Sequence, residues 1–487
     1  MSTVDAIIKK NDLTEGPILT KLMRFAVPMI AANLVQQLYN VADTIVIGYA
    51  IGDYGIAAVG ISMPVMMLFS ALFMGVSMGG NIVISQMYGA KNTEGLNRAA
   101  NTTACLAFFM GIIITVIGLV FTRPLLVLLN TPPEILNEAV VYLTIIFGGV
   151  VGNLFFNIGS GMLRGMGDSR WPLIAICSAT VMNIILDILF SIVLGWGVAG
   201  VAWATLIAQF TSGIILLYRI NTGNYGLKIS FSRVIRPDGF TALQIVRLGI
   251  PSGIQGVLMS LGGLIMLSFA NNFGASFVTA NSVVQRVDGF ALMPLMGLGM
   301  ATTTFSGQNI GAGKPERAQR GVYVALGTIF TIAAVMGAIM WFFCTPIIRI
   351  FNVSDQVLAI AENGIRWICF FYAFMGVEQC IAGAMRGAGA VVMPLVNSFT
   401  AQCCRIGFSY LLAIIPLNRT IQAAVDAGIY PSFELAKAAG VGIDGYMGIF
   451  FAMTIGMTLG AIFNFLYFRF GKWQEKGIQQ RRNIRLD

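Results

Sequence analysis

The chain contains no histidine and little charge: 10% of its 487 residues are Asp, Glu, Lys or Arg, against 57% apolar. Without histidine the usual serine–histidine relay cannot be assembled, so the nucleophile-elbow pattern GVSMG at Gly75 carries no hydrolase chemistry. A true phosphate loop is missing as well. The stretch NIGAGKPER resembles one faintly, but Gln308 stands where the motif opens with glycine, and Lys314 is followed by proline instead of Ser or Thr. That argues against an ATP-driven pump acting alone and leaves an ion gradient, or the solute itself, as the energy source. The seven cysteines lie mostly in apolar runs without metal-ligand spacing, act as small hydrophobes and do not report a redox compartment. No enzyme activity and no cofactor are expected. The opening MSTVDAIIKKNDLTEGP lacks an apolar core with a small-residue cleavage site, so no cleaved leader is expected.

What the chain does have is apolar length. Soluble domains carry roughly 25% charged residues, and a bilayer-spanning helix needs about 20 mostly apolar ones. Read with that window, spans fall near 18–50, 55–86, 99–121, 135–160, 171–194 and 198–219, then near 241–270, 276–306, 320–344, 357–382, 392–415 and 447–468. The expected fold is an all-α integral membrane protein with twelve transmembrane helices, and no soluble domain is left over. Pro28 and Pro64 are expected to kink the long first spans. The domain reading is 1–220 as an N-terminal lobe, 221–240 as a linker, and 241–487 as a C-terminal lobe with a basic tail.

The halves repeat. GMLRGMGDSRWPL from Gly161 matches GAMRGAGAVVMPL from Gly383, and SQMYGAKNTEGLNR from Ser85 matches GQNIGAGKPERAQR from Gly307, both at an offset of 222 residues. Gly52 and Gly274 keep that offset, whereas Pro28 and Pro251 differ by 223, which implies one local insertion. Six spans is an even number, so both lobes start on the same side and the repeat is of the parallel kind. A loop from about Pro416 to Gly445 has no counterpart in the first half.

Charge sets the orientation. Of the 30 Lys and Arg residues, 23 fall on the N-terminal side of the spans, 5 on the other side and 2, Arg286 and Arg405, inside them. That imbalance predicts a multi-pass protein of the cytoplasmic (inner) membrane with both termini cytoplasmic. It also accounts for the formal charge of +9 through topology and contact with membrane lipids, without a nucleic-acid partner. A monomer is expected.

Against this apolar background the stretch NLVQQLYNVADTIVIG stands out. At about 100° per residue, Gln36, Tyr39, Asn40 and Asp43 share one helix face. The fifth span places Asn183 and Asp187 four apart on one face. Both aspartates sit at similar depth below the outer boundary, with Asn153, Asn157 and Thr205 available from neighbouring spans. An ionised side chain at mid-bilayer costs about 2.5–3.5 kcal/mol on insertion scales, so two of them at matched depth point to function more than to packing. Asp43, Asp187, Asn183, Gln36 and Thr205 are the expected binding set for a proton, or for Na⁺, in which case Asp43 and Asp187 are its ligands. Tyr39, Asn40, Asn153, Asn157, Asp43, Arg286 and Glu378 are the candidates for solute contact. Arg286 and Asp288 could instead pair with each other, and Glu378 could neutralise an arginine.

On these features the chain resembles the multidrug and toxic compound extrusion (MATE) transporters, and within them the DinF-like branch. The resemblance rests on twelve spans in two six-span lobes, on LTEGPILTKLMRFAVPM leading into the first span, and on the paired MLRGMGD and AMRGAGA stretches. It implies a polar cluster of Gln36, Asp43, Asn183, Asp187 and Thr205, with Tyr39 and Asn157 in the same cavity. Other branches carry an acid on the seventh span, where this chain has Gln255. The implied function is cation-coupled (H⁺ or Na⁺) antiport of small amphipathic, often cationic compounds by rocking of two lobes. The alternative is a flippase for a lipid-linked intermediate, which would want basic residues in its cavity; a sensor or membrane enzyme is a more distant third.

Overall fold

In the computed structural model the described residues are 11–477 apart from Asn130, Asn224 and 230–236. Lys9, Lys10, Arg233, Arg236 and the basic end of the tail, which entered the charge count, lie outside them. The first half comprises α1 (Ile18–Ile51), α2 (Asp53–Gly89), α3 (Thr93–Leu128), α4 (Pro133–Gly148), α5 (Val150–Gly165), α6 (Arg170–Asp187) and α7 (Gly197–Thr222). The second comprises α8 (Gly239–Asn271), α9 (Gly274–Gly311), α10 (Pro315–Arg349), α11 (Asp355–Ile368), α12 (Tyr372–Gly387), α13 (Val392–Ser409), α14 (Ile415–Asp426), α15 (Phe433–Ala438) and α16 (Met447–Phe470). Among the described residues, 9 segments are long and apolar enough to cross a membrane, and α4 with α5 makes a bent tenth. The symmetry mates α2 and α9, 37 and 38 residues long, complete the twelve.

The 222-residue repeat is written in the backbone. Gly52 and Gly274 hold φ of 73° and 83°, Gly167 and Gly389 hold 80° and 86°, and Lys91 and Gly313 hold 55° and 74°. Each pair ends or starts matching helices, where a left-handed residue closes the turn. The interruptions match too. A π-helical turn at Ile188–Val193 follows α6, and another at Tyr410–Ile414 follows α13. The fourth span bends by 50° at Gly149, and the tenth is interrupted at the corresponding place by a 3₁₀ turn, Cys369–Phe371. The expected single span over 135–160 is therefore two helices. The Gly148–Gly149 pair, not a proline, supplies the hinge, while α1 runs unbroken through Pro28.

The expected loop from Pro416 is also corrected. The eleventh span continues as α14 to Asp426, and α15 forms within the remainder. A proline inside a helix removes one backbone bond, and the π turn just before Pro416 absorbs that mismatch.

The halves meet mainly where α2 packs on α8 and α9 and where α1 packs on α9. Glycines let the backbones approach. A Cβ on Gly79 would lie 2.2 Å from the Ile245 carbonyl, and one on Gly249 would lie 2.5 Å from that of Gly75. The spacings Gly75/Gly79 and Gly249/Gly253 are the small-xxx-small pattern that permits close crossing of membrane helices. These contacts lie toward the face that carries Lys91, Arg98, Lys314 and Arg317, called here the basic face.

On that face α8 begins with a side-chain cap. Asp238 accepts from the Thr241 backbone N–H at 2.8 Å and from the Thr241 hydroxyl at 2.5 Å. These bonds to Thr241 hold the Asp238 carboxyl below its usual range, aided by Arg98. A group with a lowered folded-state pKa stabilises above its unfolded value, near pH 4 for aspartate, and loses that contribution as pH falls through the folded value. Asp238→Ala is expected to cost about 1 kcal/mol, read as a lower melting temperature in detergent at pH 7. The difference from wild type should shrink below pH 4.

Candidate functional site

Helices α1 and α6 pack together and bring their acids to one place. Asn183 and Asp187 are completely buried on α6. Asp43, half-buried on α1, lies side by side with Asp187, and Asn183 lies beside them one helical turn away. The π turn starts directly after Asp187; such wide turns rephase the side chains that follow them. Tyr39, one turn below Asp43, donates its hydroxyl to Thr205 on α7 at 3.3 Å. Tyr142 of α4 is buried and close enough for both carboxylates to act on it.

These polar atoms are unsatisfied by the protein. Asp43 Oδ1, both Asp187 carboxylate oxygens and both amide atoms of Asn183 are buried without a hydrogen-bond partner among the described residues. Two carboxylates side by side with no donor repel each other, and burial makes the repulsion expensive. One proton shared between them relieves it. So does a small cation, for which Asp43, Asp187, the Asn183 carbonyl and the Thr205 hydroxyl offer hard oxygen ligands. Histidine, cysteine and further acids do not join the group: no cluster of three or more such residues occurs among the described residues.

The internal repeat provides a built-in control. Asp187 corresponds to Ser409 and Asn183 to Arg405 at the 222 offset, while Asp43 corresponds to Met266 at the 223 offset that follows Pro28. In the second half the same two positions touch, Ser409 Oγ donating to Met266 Sδ at 3.4 Å. The scaffold thus makes this juxtaposition twice and places acids in it once.

Other sequence candidates are dispersed. Gln36 and Asn40 are exposed on α1. Asn157 donates its amide to Asn153 Oδ1 at 2.6 Å, and its carbonyl accepts from Ser77 Oγ at 2.9 Å, away from the acid pair. In the second half Arg286 is exposed and does not pair with Asp288, which instead accepts a 2.6 Å bond from the Tyr372 hydroxyl. Glu378 packs against Gly460 and balances the charge of Arg386. Gln255 donates to Ser398 Oγ at 2.6 Å and accepts from Arg386 at 3.3 Å.

Two residues could not be located from spacing alone. Tyr142 sits on α4 in an ordinary apolar helix pattern, with only its hydroxyl to single it out. Arg164, expected in a loop, occupies the last turn of α5, because the helix runs on to Gly165 before Gly167 turns the chain. There it lines a cavity between the halves.

A family model described as MatE matches residues 28–189 and 251–411, one stretch per half, each starting at one of the paired prolines Pro28 and Pro251. The chain is similar to the probable multidrug resistance protein YpnP of Bacillus subtilis, 29% identical over 468 residues, covering 96% of this chain and 98% of that protein. It is similar also to the probable multidrug resistance protein NorM of Thermotoga maritima, 26% identical over 474 residues, covering 96% and 95%. Among solved structures, a multidrug resistance MATE family transporter in an outward-facing conformation superposes with a TM-score of 0.82 at 25% identity, covering 94% of this chain and 96% of that one.

Proposed function

Because the chain belongs to the MatE family of membrane transporters, we propose that it is a secondary antiporter of the cytoplasmic membrane, exporting small amphipathic, often cationic compounds in exchange for H⁺ or Na⁺. Asp43 and Asp187 hold the coupling ion, with Asn183, Thr205 and Tyr39 around them. The observation that carries this reading is the acid pair buried without a donor on a scaffold whose other half has Met266 and Ser409 in the same positions. The names of YpnP and NorM support multidrug export as the task.

Coupling in this scheme is thermodynamic. An ion that binds one orientation of the lobes better than the other shifts their equilibrium, and the solute must do the same in the opposite sense. The glycine-lined contacts toward the basic face fit a state closed to the cytoplasm, in which the site takes its ion from outside. The test is ethidium transport in proteoliposomes with pH and Na⁺ gradients imposed separately. One of the two gradients should drive ethidium against its own gradient; failure of both would overturn the proposal.

A further inference from the structure

The acid pair is not the only unpaired charge between helices. A cavity of about 50 Å³ lies between the halves, its wall shared by α1 and α2, α5 and α9. Arg164 carries the only charge among the described residues lining it. Arg164 is half-buried, and among the described residues no acid acts on its guanidinium. Met29, Met74, Met78 and Met300 form an apolar collar, with Ser77 and Asn157 among the polar groups beside the arginine.

The repeat shows what Arg164 lacks. Its mate Arg386 bonds Gln255 at 3.3 Å and is balanced by Glu378. At the corresponding first-half positions stand Ala32, by the 223 offset, and Phe156, by the 222 offset. Both partners have been replaced by apolar side chains while the arginine stays. A half-buried guanidinium with no counter-ion keeps donors that the protein does not fill, and an arriving anion would take them.

We propose that Arg164 is a specificity-determining residue that binds an anionic group, a carboxylate, sulfonate or phosphate, on the amphipathic cargo. Arg164 and the four methionines share the cavity wall, so an anion held at Arg164 leaves the apolar body along the methionines, whose flexible thioethers adapt to varied shapes. The planar guanidinium holds the anion through paired N–H donors. The preferred cargo is then an amphipath that carries an acid, including zwitterions whose cationic end is drawn to the acidic first-half site. This rests on the exporter reading, but it is tested by equilibrium binding without any gradient, so coupling and cargo selection fail separately.

The probes are rhodamine B, which carries a free carboxylate, and its ethyl ester, compared by fluorescence anisotropy on purified protein in maltoside micelles. The acid should bind about tenfold more tightly than the ester, the difference made by one charge-assisted contact. Arg164→Gln should bring that ratio to about one without weakening the ester, and Arg164→Lys, which keeps the charge but loses the paired donors, should retain only part of it. Met78→Glu, which sets a carboxylate in the same cavity, should invert the preference and keeps the proposal testable if Arg164→Gln does not fold. A ratio near one in the unaltered protein, a ratio unchanged in Arg164→Gln, or equal loss of both dyes overturns it. Displacement of rhodamine B by added phosphatidylglycerol would assign a lipid phosphate to the site and its persistence a free solute, Arg164 being the anion's partner in either case.

Discussion

Asp43→Asn is expected to yield a folded, membrane-inserted protein that no longer drives ethidium against its gradient. The substitution preserves shape and supplies an amide donor to Asp187, whose two buried oxygens have none. Stability should therefore hold or rise by about 1 kcal/mol, the usual worth of one added hydrogen bond. What disappears is the titratable oxygen proposed to bind the coupling ion. Couplings between two ligands typically amount to roughly 5–150-fold in affinity, so removing one of the two proposed ion ligands should lower gradient-driven transport by about a hundredfold. Ethidium equilibrating down its own gradient should continue. Asp187→Asn should behave alike, and the double variant little worse than either, because the two acids act as one unit. Proteoliposomes at matched protein density provide the measurement, with melting temperature in detergent as the folding control. Full gradient-driven efflux in Asp43→Asn would remove the proposed role.

The acid pair was legible because both halves of its signal are local: a polar stripe at helical spacing on α1, and Asn183 with Asp187 one turn apart on α6. The repeat was legible because glycine and arginine recur at a fixed offset, and the backbone angles at Gly52 and Gly274 show why glycine is placed there. What could not be read depends on packing between distant segments. Hydropathy sees one apolar run where the chain bends at Gly149. It also ends the fifth span smoothly where a π turn follows Asp187. The separation of Asn157 from the acid pair is set by which helix face meets Ser77 of α2. Arg164 looked like a loop residue because the charged MLRGMGD stretch follows an apolar run, yet the helix extends through it. Counting only Arg286 and Arg405 as arginines inside the spans therefore missed the one that lines the space between the halves.

Removing the paired glutamines Gln86 and Gln308 is expected to open the basic face. Near the basic-face ends of α2 and α9, Gln86 donates to the Gly387 carbonyl at 2.8 Å and Gln308 to the Gly165 carbonyl at 3.0 Å. Each bond crosses from one half to the other, and the repeat makes them mates. The helices touch there: a Cβ on Gly89 would lie 2.0 Å from the Gln308 carbonyl and one on Gly311 2.1 Å from that of Gln86. Gln308 also accepts from the Leu13 backbone N–H at 3.0 Å, tying the segment before α1 into the same closure. If the lobes rock, these bonds break together whenever the face opens to the cytoplasm. A buried carbonyl stripped of its donor costs about 1–3 kcal/mol. In the closed state Gln86→Ala and Gln308→Ala strand two such carbonyls, whereas in the open state water reaches them. The penalty therefore falls on one conformation, and about 3 kcal/mol for the pair shifts the closed-to-open ratio about a hundredfold. Spin labels at the exposed Glu94 and Glu316 report this as growth of a longer distance in the double variant. Each single variant should give less than half of the logarithmic shift, since the two glutamines support one crossing and their effects do not simply add. An unchanged distance distribution would mean that the glycine contacts alone hold the face shut.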